Sequence, residues 1–395
     1  MGFDKQRLER LDATLTAHAD DGSVGGLAWL AACDDDVQVG YAGVLTRGEP
    51  APIARDSIFR ISSMTKPIVA AAALMLVDES RLRLGDPVDD LLPELADRPV
   101  LVDGAGRVDG DTVAAQRAVT VRDLFTFELG IGMDLTQPWP QPMLEAMDAL
   151  ELGGGPPQPQ ECPPPDEWMR RFGSLPLMYQ PGERWLYNTG ADVLGVLVAR
   201  AADRPLESFL RERLFDPLGM RDTGFWVRDT TRLGTCYASD PDGGKTVFDP
   251  PDGQWATAPA FPSGAGGLVS TVDDIYAFAH MLLTGGRAAD GSKLLSRAAV
   301  TAMTTNQIEV ARGLSGPSPD AAAGWGFGVG VLLRQAAIGP TAGSYGWEGG
   351  MGSSWTNDPA RNVIGTVVTT DMFAGPFPPP AVVQDFWTGT YTALD

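Results

Sequence analysis

Ser63-Met64-Thr65-Lys66 opens the apolar run Pro67 to Val77 and sets a serine three residues ahead of a lysine. A helix turns about 100° per residue, so positions 63 and 66 share a face and the amine comes within reach of the hydroxyl. Burial would pull the lysine pKa down toward neutrality and make it a base for Ser63, the arrangement needed for acyl transfer through a serine nucleophile. The same residues also fit a plain helix start. In that reading Ser62 or Ser63 caps, Pro67 sits in the first turn, and Ile68, Ala71, Ala72, Met75 and Leu76 face a core. The rest of the chain has to decide between the two.

With 395 residues and 44% apolar content, the chain can build two packed units or one large domain with an insertion. Fifty-one acidic against thirty basic residues give a net charge of −21, which repels phosphate backbones and anionic membranes. Nucleic acid and membrane are therefore not expected partners. The chain begins in a polar, helix-like segment (Asp4 to His18) without a basic-then-apolar leader or a membrane-length apolar run, so a cytoplasmic protein is expected. Cys33, Cys162 and Cys236 are far apart and lack metal-ligand spacing, which argues against a disulfide framework or a zinc site. Only two histidines occur, His18 and His280, both on helix-like segments, and no Gly-x-Ser-x-Gly elbow is present. A Ser-His-Asp triad is thus disfavoured relative to a lysine base. Gly243-Gly244-Lys245-Thr246 imitates the end of a phosphate loop, but Ser239 stands where the first glycine belongs, and it reads as a hairpin turn.

Strand-like segments lie at both ends. Gly26 to Ala32 and Val37 to Gly43 form a hairpin, and Gly326 to Arg334, Ser353 to Thr356 and Asn362 to Thr370 read as three more strands, followed by a helix over Pro380 to Tyr391. Between them, residues 64–80, 120–128, 190–202, 205–215 and 271–284 carry helical patterning. The expected fold is α/β (α+β): an antiparallel sheet of N- and C-terminal strands flanked by helices, with a largely helical insertion. The expected boundaries are 1–78 with 320–395 for the sheet domain and 79–319 for the helical one, the active site lying between them. Residues 137–165 are proline-rich and cannot be a continuous helix or a central strand; they read as a long loop laid over the site or as a surface excursion.

Two further stretches can supply chemistry. Tyr187-Asn188-Thr189 sits in a loop just before a helix, where a phenol can relay protons or act as a base; ordinary packing of an amphipathic tyrosine is the alternative. Tyr345 to Gly352 bares the backbone at four glycines, whose N–H groups could hold an oxyanion together with the Ser63 amide, or simply form a turn. Trp139, Trp168, Trp255, Trp347 and Trp355 are aromatic candidates for a pocket wall, each of them equally suited to a core.

The order and context of these elements resemble the serine β-lactamase-like superfamily of class C β-lactamases, penicillin-binding D-alanyl peptidases and family VIII carboxylesterases. The resemblance extends through Phe59 to Pro67, Leu82-Arg83-Leu84-Gly85-Asp86-Pro87-Val88, Thr120 to Thr126, Phe215-Asp216-Pro217-Leu218-Gly219-Met220 and Gly266-Gly267-Leu268-Val269-Ser270-Thr271. It implies Ser63 as the acylated nucleophile, Lys66 as its activating amine, Tyr187 as the shared proton relay and Gly350 as the second oxyanion donor, with no metal or cofactor. Where β-lactamases and peptidases carry Tyr-x-Asn, this chain has Tyr187-Asn188-Thr189, so Thr189 is expected to orient substrate differently. Where they carry Lys-Thr-Gly, it has Trp347-Glu348-Gly349, similar to the tryptophan-glycine motif of family VIII esterases. The lost cation removes a charge-assisted contact worth a few kcal/mol to an anionic substrate. The expected activity is therefore hydrolysis of small carboxylic esters through an acyl-enzyme. The alternatives are a β-lactamase or D-amino-acid peptidase or amidase, an acyltransferase, and a catalytically silent ligand-binding homologue.

Overall fold

The structure, a computed structural model, describes residues 2–240, 242–309, 322–335, 337–375 and 379–395. The elements that position the candidate site are, in chain order, α1 (Lys5–Asp20), β1 (Gly26–Cys33), β2 (Asp36–Gly43), α2 (Thr65–Asp78), α3 (Val121–Thr126), α4 (Thr189–Ala202), α5 (Val272–Leu283), β3 (Ala323–Trp325), β4 (Gly330–Leu332), β5 (Tyr345–Gly349), β6 (Ser353–Asp358), β7 (Val363–Thr369) and α6 (Ala381–Ala393).

The seven strands form one antiparallel sheet in the order β2-β1-β7-β6-β5-β4-β3. Its centre joins the two ends of the chain, with Leu27 opposite Thr369 and Cys33 opposite Val363, while β5 and β6 pair from Tyr345–Asn357 to Gly349–Ser353. β1 and β7 are buried along their whole length because helices cover both faces, so they read as continuous apolar runs rather than alternating ones. On one face α1 and α6 contribute Leu11, Leu15, Val383 and Phe386 against Trp29 and Val367. On the other, α5 packs Phe278 against Trp355, and Asn357 Nδ2 donates to the Ala279 carbonyl at 2.7 Å.

One expectation needs correction: Tyr345–Gly349 is a strand, not a glycine-rich turn. Its glycines are demanded by crowding. A Cβ on Gly346 would fall 2.0 Å from the Trp355 carbonyl oxygen, and one on Gly349 would fall 2.2 Å from the Ile61 carbonyl oxygen. β5 therefore presses against the backbone that leads into Ser63. The ladder to β4 holds only Gly330–Gly346 and Val331–Tyr345, so on that side β5 makes no strand pairing from Trp347 onward among the described residues.

α2 is apolar around its whole circumference, the pattern of a helix buried on every side, and Thr65 to Leu76 are all buried. The proline-rich segment 137–165 holds a short helix, Pro142–Ala149, that begins on a proline. It then runs to Pro157, which packs beside Gly266 in a turn near Ser62. Gly243-Gly244 lies in the hairpin between the strands Cys236–Ser239 and Lys245–Asp249.

Candidate active site

Arg60 anchors the approach to Ser63. Its buried guanidinium donates through Nε to Asp249 at 2.8 Å and lies over the Trp255 ring, while the Ile61 amide donates to the Leu268 carbonyl at 3.0 Å. Ser62 follows in the left-handed region at φ +44°, and a 3₁₀ turn over Ser62–Met64 runs into α2. Neither helix start has a side-chain cap bond, so the capping reading of Ser62 and Ser63 does not describe this turn. Instead Lys66 Nζ donates to Ser63 Oγ at 2.9 Å and to the Ala265 carbonyl at 2.6 Å.

Lys66 is 1% exposed. Burial pulls its pKa down to about 7, and the negative field of Asp192 pulls back upward. An amine in that range can take the Ser63 proton near neutral pH. Asp192 was missed by sequence reasoning, because it sits inside the helical pattern of α4 and its partners lie some seventy residues on. Its carboxylate accepts from Ser263 Oγ at 2.7 Å and from the Ala265 amide at 3.0 Å. Burial raises its pKa, opposed by those bonds and by Lys66. One residue, Ala265, thus links the two charges, with its N–H on Asp192 and its C=O on Lys66.

Tyr187 reaches the same point from the other side. Asn188, at φ +80° and ψ −66°, makes a tight γ-turn in which the Thr189 amide donates to the Tyr187 carbonyl at 3.2 Å. Met133 pairs with the Tyr187 backbone in both directions, at 2.7 and 2.9 Å. The phenol ring lies 4.6 Å from Lys66 Nζ, and its hydroxyl shares hydrogen bonds with Ser63 and with Trp347 Nε1, the latter at 2.8 Å. Burial outweighs those bonds and pushes the Tyr187 pKa up to about 12, so the phenol stays protonated near neutrality.

Trp347 completes an aromatic box with Trp325 (4.7 Å, edge-on) and Tyr187 (5.7 Å), backed by Trp185 and Phe127. Trp185 and Trp325, both fully buried, lie behind the box rather than on a pocket wall, and neither was among the wall candidates. Of those that were, only Trp347 touches Tyr187; Trp168 stacks on Phe172 and Phe261, Trp255 lies under Arg60, Trp355 is in the sheet core and Trp139 is on the surface. Gly350 is exposed, with open space where a Cβ would be, and Gly349 is buried against Ile61. Thr189, the other expected substrate contact, is buried at the start of α4.

The Beta-lactamase family profile matches residues 11–382. Protein Rv1367c of Mycobacterium tuberculosis is 36% identical over 340 residues, 83% of this chain and 81% of its own length. Esterase EstB of Burkholderia gladioli is 31% identical over 373 residues, 89% of this chain and 87% of its own. Among solved structures, EstCE1, a hydrolase with promiscuous acyltransferase activity, is similar with a TM-score of 0.82 and 25% identity, over 98% of this chain and 99% of its own. No helix among the described residues is long and apolar enough to cross a membrane. Fold, motif order and relatives agree, and the chain belongs to the Beta-lactamase family of serine hydrolases, with esterase and acyltransferase neighbours.

Proposed function

We propose that the protein is a carboxylesterase-type serine hydrolase working through an acyl-enzyme. The observation that carries this reading is the Lys66 amine, buried, 2.9 Å from Ser63 Oγ and poised near neutral pKa. Ser63 Oγ attacks the ester carbonyl while its proton passes to neutral Lys66. The oxyanion lies between the amides of Ser63 and Gly350. Collapse expels the alcohol, which takes the proton back from Lys66 through the Tyr187 hydroxyl, and water then cleaves the acyl-enzyme by the same route in reverse. With a pKa near 12 against about 7 for Lys66, Tyr187 serves as relay and Lys66 as base.

Trp347 favours esters over β-lactams and D-alanyl peptides, because an indole bonded to Tyr187 replaces the cation that would meet a substrate carboxylate. Acyl transfer is the second reading. A water-poor site would favour another acceptor over water; the rings beside Tyr187 are apolar, and EstCE1 is a hydrolase with promiscuous acyltransferase activity. Intact-protein mass spectrometry during turnover of p-nitrophenyl acetate and butyrate, with nitrocefin alongside, tests the proposal. An acyl adduct on Ser63 with ester turnover far above nitrocefin turnover is expected. Comparable nitrocefin turnover would replace the esterase reading with a β-lactamase one, and absence of any adduct would overturn both.

A further inference from the structure

The two flanks of the nucleophile differ in what they offer a substrate. On one side lies the aromatic box. On the other, Glu348 projects from β5 on the strand face opposite Trp347, since neighbouring side chains alternate. It is half-buried, and among the described residues it makes no hydrogen bond or ion pair. Burial alone pushes its pKa up to about 7. Lys66 offers it no compensation, because its amine is turned to Ser63 and Ala265. The carboxylate is nevertheless close enough to Tyr187 to raise the phenol pKa. Next along the strand, Gly349 abuts Ile61 and Gly350 faces open space, so Glu348 stands beside the segment that leads into Ser63, where β5 makes no pairing on its β4 side among the described residues.

A half-desolvated carboxylate without a counter-charge is costly in a folded protein and becomes favourable once a cation meets it. We propose that Glu348 is a specificity-determining residue that receives a positively charged substituent of the substrate, making ammonium-bearing esters the preferred class. The proposal rests on the esterase reading above. The net charge of −21 acts in the same direction, drawing cations toward the protein.

Paired substrates that differ only in charge test it. Butyrylthiocholine against 3,3-dimethylbutyl thiobutyrate places the charge on the leaving group, and p-nitrophenyl 4-trimethylammoniobutyrate against p-nitrophenyl 5,5-dimethylhexanoate places it on the acyl group. In at least one pair the wild-type kcat/KM ratio, cation over neutral, is expected to reach about tenfold, a yield within reach of one partly desolvated ion pair, since a quaternary ammonium has no N–H to donate. Glu348→Gln, which imitates the protonated carboxyl, should bring that ratio near one, and Glu348→Lys should invert it. A ratio near one in both pairs for the wild type, or a ratio that survives Glu348→Gln, overturns the proposal. Calorimetric binding of the same pairs to Ser63→Ala reads the preference without turnover. Loss of all ester cleavage by the wild type would thus remove the esterase reading, while tighter binding of the cationic member would still support a cation site at Glu348, and equal binding would overturn it.

Discussion

The helical flank and the sheet flank of the candidate site are built on opposite terms. On the helical flank the polar groups are engaged: Lys66 with Ser63 and Ala265, Asp192 with Ser263 and Ala265, Tyr187 with Ser63 and Trp347. On the sheet flank Glu348 is unpaired and Gly350 is open among the described residues. Engaged groups are held in place before substrate arrives, which is what positioning a nucleophile and its base requires. Open groups keep their bonding capacity for the substrate. The difference therefore separates the nucleophile, base and relay, expected at the start of α2 and the entrance of α4, from recognition, expected at Glu348 on β5, with the Gly350 amide serving the oxyanion from the sheet side.

The largest effect expected from this division comes from the nucleophile pair. Ser63→Ala and Lys66→Ala should each lower kcat by about 10⁴-fold or more, the scale of losing a nucleophile or its base, and remove the acyl adduct in intact-mass spectra. Circular dichroism should stay native for Ser63→Ala. An adduct that persists on Ser63→Ala would place the nucleophile elsewhere and collapse the division altogether.

Tyr187 sits at the junction of the two flanks and tests whether it belongs to the first. Tyr187→Phe keeps the ring beside Lys66 and within the aromatic box but deletes the hydroxyl. A drop in kcat of about 10² to 10³-fold with little change in KM is expected for a proton relay. A change confined to KM would move Tyr187 to the recognition flank.

Asp192 sharpens the electrostatic half of the comparison. With neutral Lys66 as the proposed base, kcat/KM for a neutral ester should rise with pH through about 7 and then level off. Asp192→Asn keeps an acceptor for Ser263 and Ala265 but removes the negative charge that favours the ammonium. The Lys66 pKa should then fall, and the acid limb should move down by roughly one pH unit. Tyr187, protonated throughout, does not titrate in this window, whereas Glu348 does. Repeating the profile in Glu348→Gln separates its contribution. An acid limb that stays put in Asp192→Asn would reduce Asp192 to a scaffold for the turn at Ser263–Gly266.

The helical flank was the more legible of the two in the sequence. Ser63, Lys66 and Tyr187 are local signals, a three-residue spacing and a tyrosine at a helix entrance, and α2 and the terminal strands follow from apolar runs and alternation. Asp192 carried no such signal, because its meaning depends on a turn brought to it only by folding. The sheet flank was harder. Gly346 and Gly349 read as turn residues because glycine disfavours strands, yet here they mark where β5 touches Trp355 and Ile61. Trp185 and Trp325, which back Tyr187 and Trp347 from within a buried cluster, were indistinguishable by type from Trp168 and Trp355, since sequence periodicity separates buried from exposed but does not say what a buried ring packs behind.

The smallest expected effect concerns what the helical flank costs to hold. Asn188 keeps φ at +80° in the γ-turn that sets Tyr187 against Ser63, a conformation that strains a non-glycine residue by roughly 1–3 kcal/mol. Asn188→Gly relieves that strain but adds about 0.5–1 kcal/mol of backbone entropy to lose on folding, leaving a net gain near 1 kcal/mol. Spread over a chain of 395 residues, that is a rise in Tm of roughly 1 °C. The looser turn should also let Tyr187 wander, lowering kcat a few-fold while KM holds. If Tm falls instead, the turn is supported by contacts of the Asn188 side chain rather than strained against them, and the helical flank would then be rigid without stored strain.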